Sequence, residues 1–246
     1  MQAVRPAVAA LAWACSSPPA PAPAVALEPA DPFSFVVLEL FTSEGCSSCP
    51  LADARLNDVA AAYAGQRVFP LAWHVTTWDG LGWPDPFADP RYTDRQRAYA
   101  QALPARRYTP QLVVQGQEDF NGQIRSRIDD AMVHWIGDPG GVDVSLALTP
   151  EASALVGTAQ VQGAPEGAVL QVVLLQSGLV VDVPAGENTG RTLHHDNVVR
   201  SWVTVGVDAP QVSLPVPDDV DLASASAVVL VQDPQTMAVL GAAVAR

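Results

Sequence analysis

The stretch FVVLELFTSEGCSSCP, residues 35–50, decides how the rest of the chain is read. Phe35–Phe41 is apolar and β-branched, the pattern of a buried strand. Leu51–Ala64 follows, Ala-rich, with Leu51, Leu56, Val59 and Tyr63 at mostly helical spacing and Gly65 to stop it. Cys46-Ser47-Ser48-Cys49-Pro50 therefore opens a helix directly after a strand. Two residues between cysteines on a first helical turn let the sulfurs close a small disulfide. The free amide N–H groups and the positive end of the helix dipole favour a thiolate on the first cysteine. Cys46 is expected to be the exposed nucleophile and Cys49 the more buried resolving thiol. A lone C-x-x-C also suits half of a zinc site, but no second pair exists. Such a site would need two more ligands from the four His or the acids.

Outward from this motif the rhythm alternates. Val68–Val75 reads as a second strand, and Thr77–Pro90, with Trp78 and Trp83 among glycines and prolines, as a loop. Thr93-Asp94-Arg95-Gln96 reads as a capping box opening a helix to about Leu103. Leu112–Gln115 is a strand, Gly116 turns it towards Phe120, and Ile124, Ile128, Val133 and Ile136 mark a last helix that Gly137 and Pro139 end. Thr109-Pro110 stands just before the third strand. In thioredoxin-like folds a proline in this place is cis and faces the disulfide, and the backbone beside it pairs with the substrate chain. The alternative is an ordinary trans proline starting a strand. This order of elements predicts a thioredoxin-like domain over residues 31–140. Beyond Asp138-Pro139-Gly140-Gly141, a linker signal, helical periodicity disappears. Val142–Leu148, Ala154–Val161, Val169–Leu175, Val198–Val205, Gln211–Leu214, Ala227–Val231 and Met237–Val244 read as strands, so residues 141–246 are expected to form a β-sandwich. The fold class expected is an α/β thioredoxin-like domain followed by an all-β sandwich.

Leu38–Pro50, Trp73-His74-Val75, Trp78-Asp79, Gly82-Trp83, Asp85–Ala88, Arg95–Tyr99, Tyr108–Val114, Asn121-Gly122 and Gly186–Arg200 together resemble a domain-of-unknown-function family of predicted secreted bacterial proteins assigned a thioredoxin-like fold. The resemblance spans most of the chain after Phe33. Members usually carry Asp-Tyr or a similar pair after the His-Val, where this chain has Thr76-Thr77. The resemblance implies the fold and redox chemistry and supplies no substrate.

Other residues carry two readings each. Glu39 lies in the first strand, seven residues before Cys46. It reads either as proton acceptor for Cys49 or as a carboxylate paired with an Arg in the core. His74 reads as a hydrogen-bonded packing histidine or as a group approaching the cysteines. Trp78 lines a peptide groove or covers the core. Arg106, Arg107 and Tyr108 flank the Thr-Pro loop and are expected to bind substrate, or to form a solvated surface. His194-His195-Asp196 with Arg191 and Arg200 reads as a hydrogen-bond network between the two halves, since adjacent histidines on a strand point to opposite faces.

The 246 residues carry 13 cations against 26 acids, a net charge of −13, with 49% hydrophobic residues. That composition allows a packed core and excludes global disorder. It also makes nucleic acid and anionic membrane poor partners. Inside the acidic whole, Arg91–Arg127 holds seven Arg against three acids. Residues 1–30 read as an export signal and a Pro/Ala-rich tether: Arg5, apolar Ala7–Ala14, small residues at Ala12 and Ala14, then Ser16–Ala30. Cys15 directly after Ala14 offers a lipid-modified cysteine as the one membrane anchor. The function expected is a thiol–disulfide oxidoreductase, periplasmic or secreted, acting on envelope protein thiols or disulfides with a separate redox partner. No cofactor beyond a redox-active Cys46–Cys49 disulfide and no resident metal is expected. The alternatives are Cu(I) binding or delivery by the same cysteines, and a non-catalytic binding module.

Overall fold

The computed structural model describes residues 25–139 and 141–246. The expected export signal and Cys15 lie outside them. Strand β1, Val36–Thr42, is buried along its whole length, as its unbroken apolar run requires. Helix α1, Cys49–Ala62, follows, with Pro50 in its first turn, where a missing N–H costs nothing. It leads to β2, Val68–His74, parallel to β1 from Val36 opposite Val68 to Thr42 opposite His74. Helix α2, Pro90–Ala102, precedes β3, Gln111–Val114, and β4, Glu118–Asn121, which add antiparallel beyond β1. Helix α3, Arg125–Ile136, closes this half.

Side chains alternate across β1 and decide which helix covers which face. Val36, Leu38 and Leu40 pack with Ala52, Leu56 and Val59 of α1 and with Ile128, Met132 and Ile136 of α3. Val37 and Phe41 face the opposite side, with Tyr99 of α2. The start of α2 differs from the capping box expected at Thr93. Asp89 is the N-cap and accepts a hydrogen bond from the Arg91 N–H at 2.7 Å. The residue before a proline is held extended, which is the conformation an N-cap needs, so Asp89-Pro90 takes the helix start. The Thr93 hydroxyl instead accepts from the Thr76 N–H. The stretch read as a loop also contains a short 3-10 turn, Thr76–Leu81.

The second half comprises β5, Asp143–Glu151; β6, Ala154–Gln162; β7, Val169–Gln176; β8, Leu179–Asp182; β9, Thr192–His195; β10, Val198–Gly206; β11, Gln211–Pro215; β12, Ala225–Gln232; and β13, Val239–Val244. The hairpin β8–β9 was not legible in the sequence: its strands are four residues long and pair only with each other.

One eight-stranded sheet runs through both halves in the order β13-β12-β7-β10-β2-β1-β3-β4. The junction is a single parallel contact, Val198 beside Ala72, where the Ala72 N–H donates to the Asn197 carbonyl at 2.9 Å. The molecule is thus mixed α/β with mostly strands around one large sheet. A three-stranded layer, β11-β6-β5, covers one face of its outer part. Leu170, Val172 and Leu174 of β7 pack against Val144, Leu146, Val212 and Leu214 of that layer. Val173 and Leu175 of the same strand join the cluster around Trp73, Tyr92 and Tyr99 on the other face. Burial on both faces explains why β7 and β12 read as continuous apolar runs.

Far from the junction strands the halves meet again. The Val239 N–H donates to the Gln115 carbonyl at 2.8 Å, and Gly116 at φ +67° passes against the Met237 carbonyl, where a Cβ would overlap it. Gly116→Ala is expected to lower stability by about 2 kcal/mol or more, measured by urea unfolding, since neither backbone can withdraw without breaking a strand pairing. A loss under about 0.5 kcal/mol, the scale of an ordinary surface substitution, would contradict this account.

Candidate functional site

Cys46 and Cys49 form a disulfide at the head of α1, with a Cα–Cα distance of 5.4 Å. The Cys49 N–H donates to the Cys46 carbonyl at 3.1 Å, closing the turn that brings the sulfurs together. Cys46 is 1% exposed and Cys49 is fully buried. The expectation of an exposed Cys46 is therefore corrected, because tertiary neighbours cover it. Trp78 lies so close over Gly45 that a Cβ there would come 2.8 Å from the Trp78 Cβ. The Thr109 hydroxyl donates to the Cys46 sulfur at 3.3 Å, and Trp78 Nε1 donates to the Thr109 hydroxyl at 2.8 Å. The Thr109–Pro110 peptide bond is cis, and Pro110 is buried at the start of β3. Trp78, Thr109 and Cys46 are thus one connected group.

Tyr108 is half-buried and turned aside, its hydroxyl donating to Asp119 at 2.9 Å. Burial and that carboxylate push its phenol well above the usual range. Arg106 and Arg107 are exposed beside the loop, their guanidinium groups unpaired among the described residues. Glu39 is not brought to the cysteines. It sits on the sheet face opposite α1, where Arg95 holds it through Nε at 2.6 Å and Nη2 at 2.9 Å, with the Tyr99 hydroxyl also donating. Period-2 alternation places it beside Val37 and Phe41, so the core ion pair is the reading that holds.

The acid–base groups behind the disulfide come from elsewhere. Glu44 is buried, accepting from Trp83 Nε1 at 2.7 Å and sharing a hydrogen bond with His195 Nε2 at 3.0 Å. Asp85 accepts from the Glu44 N–H and pairs with His74 Nδ1 at 2.7 Å. The His74 and His195 rings meet edge to face, centroids 5.1 Å apart. Asp53 of α1 is buried with them, one helical turn beyond Cys49. From the second half, Asn188 donates to the carbonyls of Glu44 at 2.7 Å and Cys46 at 3.0 Å, and Glu187 accepts from the Ser47 N–H at 3.0 Å. His194 points to solvent and His195 inward, as strand alternation demands. Asp53 escaped the sequence reading, and Asp85, Glu187 and Asn188 entered it only inside the segments Asp85–Ala88 and Gly186–Arg200, without roles of their own. For Asp53 a signal existed: it interrupts the buried stripe Cys49, Ala52, Leu56, Val59. Among the described residues no cluster of three or more His, Cys, Asp and Glu has the geometry of a metal site.

Burial opposes the Asp85 carboxylate but is outweighed by the charge and hydrogen bond of His74 and by the N–H groups of Glu44 and Phe87, so its pKa lies below the ordinary value. Burial likewise opposes the His74 imidazolium and is outweighed by Asp85, so its pKa lies above the ordinary value. Asp53 is raised, because burial outweighs the nearby His195 and His74. The signs set a pH window. A raised histidine stabilises fully below its unfolded value, about 6.5, and loses that contribution as pH rises through its folded value. A depressed carboxylate stabilises above about 3.9 and loses that as pH falls through its folded value. The stability gap between the wild type and His74→Gln, read by urea unfolding, is therefore expected to be wider at pH 5 than at pH 9. A gap that does not change with pH would remove the charged pair.

A crystal structure of a protein from Agrobacterium tumefaciens is similar over 87% of this chain and 95% of that one, at 28% identity and a TM-score of 0.64. HBP35 of Porphyromonas gingivalis is similar in fold over 86% of this chain and 74% of that one, at 18% identity and a TM-score of 0.59. No curated protein matches. The family described as protein of unknown function, DUF1223, matches residues 37–232, a span that holds both cysteines, the cis proline and the Glu187–His195 segment, and the chain belongs to that family.

Proposed function

We propose that the protein is a thiol–disulfide oxidoreductase of the bacterial cell envelope, built as a thioredoxin-like domain and a β-sandwich that share one sheet. The observation that carries this reading is the C-x-x-C disulfide at the head of α1, touched by the hydroxyl of a Thr whose following Pro is cis. Strand β1, α1, parallel β2, α2 and the antiparallel pair β3–β4 support the thioredoxin-like part. The layer β11-β6-β5 stacked on the outer sheet supports the sandwich.

In the oxidised state a client thiolate attacks the Cys46 sulfur, the Cys46–Cys49 bond breaks, and Cys49 leaves with the electron pair. A second client thiolate then attacks the client's sulfur in the mixed disulfide and expels Cys46, so the client is oxidised by two electrons and the pair reduced. The reverse sequence reduces a client disulfide. Cys46 is the end that a client reaches, since its sulfur accepts from the Thr109 hydroxyl that Trp78 holds, whereas Cys49 is sealed within α1; the exposed Arg106 and Arg107 precede Thr109 in the same loop. Trp78 must shift from Gly45 for that attack. The exposed basic pair suits clients with acidic flanks. A separate redox partner restores the pair, and the chain works outside the cytoplasm, where a structural environment for disulfides exists.

Cys49→Ala is expected to hold client proteins as mixed disulfides on Cys46 in envelope extracts, resolved on non-reducing gels, while Cys46→Ala holds few or none. Capture by neither variant would defeat the reading. A Cys15→Ser chain that shows two free thiols after reduction, re-forms its disulfide by oxidising a dithiol peptide and carries no stoichiometric copper would separate it from Cu(I) delivery and from a passive structural disulfide.

A further inference from the structure

Four buried carboxylates lie within or beside this half of the protein, and three are fully occupied. Glu39 is held by Arg95 and Tyr99, Glu44 by Trp83 and His195, and Asp85 by His74 and the N–H groups of Glu44 and Phe87. Asp53 is different: its Oδ1 is buried and has no hydrogen-bond partner. Two other buried atoms in the same region lack a well-formed hydrogen bond: His74 Nε2, and the Thr42 hydroxyl, which lies beside Asp53 and favours its carboxylate; Thr42 and His74 stand opposite each other at the ends of β1 and β2. Leaving a polar atom unpaired in the interior costs about 1–3 kcal/mol, so a group of them calls for a use.

Helix geometry supplies one. Asp53 follows Cys49 by four residues on the buried face of α1, which puts their Cβ atoms about 5–6 Å apart. Side chains on a helix lean towards its N-terminus, so the Asp53 carboxyl leans onto the turn that carries Cys49. We propose that Asp53 is the group that takes the proton from the Cys49 thiol when Cys49 attacks, and returns it when Cys49 leaves, with His74 and with His195 of the second half completing its surroundings.

The inference rests on the thiol–disulfide reading. The chemistry balances with the client alone. When a client thiolate breaks the Cys46–Cys49 bond, Cys49 leaves as a thiolate and accepts the proton held on Asp53, leaving an Asp53 carboxylate. In the reverse step Asp53 accepts the Cys49 proton, and the thiolate attacks Cys46, re-forming the disulfide and expelling the client thiolate. Burial keeps the Asp53 acid protonated to higher pH than an exposed carboxyl, which brings donor and acceptor closer in proton affinity. The ionisable and polar groups around it are Cys49 on its own helix, Thr42 and Glu44 at and after the end of β1, His74 at the end of β2, Asp85 from the loop, and His195 from β9. The second half thus supplies part of the proton site as well as a cover.

The test uses the reduced full chain carrying Cys15→Ser, so that only Cys46 and Cys49 can react, and 5,5′-dithiobis(2-nitrobenzoate). A first thionitrobenzoate is released as Cys46 is modified, and a second as Cys49 displaces the probe from Cys46. Asp53→Asn, which keeps the shape of the side chain, is expected to leave the first phase within about twofold. The second phase should slow about tenfold or more at pH 7, and its pH profile should move to that of an ordinary thiol near 8.5. Asp53→Glu should recover part of the rate. Unchanged phases in Asp53→Asn, or equal slowing of both, would overturn the assignment while leaving the oxidoreductase reading intact. If Asp53→Asn does not fold, the wild-type profile decides. A second phase that levels off below the thiol range supports an internal proton acceptor, and one that rises steadily into the thiol range overturns it. If the wild type shows no second phase at all, the oxidoreductase reading itself fails and the assignment falls with it.

Discussion

A single short contact, β10 laid parallel to β2 at Val198 and Ala72, sets the position of almost everything around the disulfide. Strand β9 ends three residues before that contact, so fixing Val198 beside β2 fixes where His195 enters the first half. The rest of the join is an apolar cluster shared by both halves, in which Val173, Leu175, Val199 and Leu230 pack with Phe69, Trp73, Tyr92 and Tyr99, and polar and glycine-backbone contacts add to it. Asn188 spans the carbonyls of Glu44 and Cys46, Gly186 packs against Trp83, and Arg67 donates to the Ala242 carbonyl at 2.9 Å. A sheet continued across the two halves transmits strand register rigidly, because shifting one strand by a residue would turn every side chain to the wrong face. The cysteine loop is thereby held from both sides.

The interior of this region is unusually charged for its burial. Taking a carboxylate out of water is costly unless its oxygens are occupied, and the chain meets that cost by a different device in each place. On the α2 face Glu39 lies under a guanidinium that also stacks on Trp73 and Trp202, at 4.9 and 5.5 Å from the ring centroids. Behind the disulfide Asp85 is paired with His74, whose charge depends on pH, so the two networks respond differently to acid. Breaking a buried pair such as Arg95–Glu39 removes far more stability than forming it contributes, which makes that pair a fixed strut and His74–Asp85 an adjustable one.

The cover over Cys46 has a matching consequence. Gly45 leaves no room for a side chain beneath Trp78, and Gly186 at φ +77° leaves little beneath Trp83. The same two tryptophans also donate hydrogen bonds to Thr109 and Glu44, so moving Trp78 to admit a client alters the hydroxyl that meets the Cys46 sulfur. Access and electrostatics are therefore linked through two side chains on one loop. Exposed Glu187 on the Ser47 N–H adds a negative charge at the head of α1, opposing the helix dipole that favours a Cys46 thiolate.

Local pattern carried the elements whose cause is local. The apolar run before the cysteines, the C-x-x-C on a first helical turn, the proline before β3 and the alternating strands after Gly141 were all legible, because strand and helix periods and turn chemistry act over a few residues. That His194 and His195 point to opposite faces was legible for the same reason, whereas which of them turns inward was not. What the chain alone could not show depends on contacts between distant residues. Exposure of Cys46 is decided by Trp78 and Thr109, the cap of α2 by an Asp-Pro pair that competes with a plausible capping box, and the face of Glu39 by which helix covers which side of β1. Glu39 and Asp53 are both acids in apolar stripes and look alike in sequence. Helix spacing alone sets Asp53 one turn after Cys49, but only the stacking of α1 and α2 on opposite faces of one sheet puts Glu39 beneath an arginine and buries Asp53 near His74 and His195.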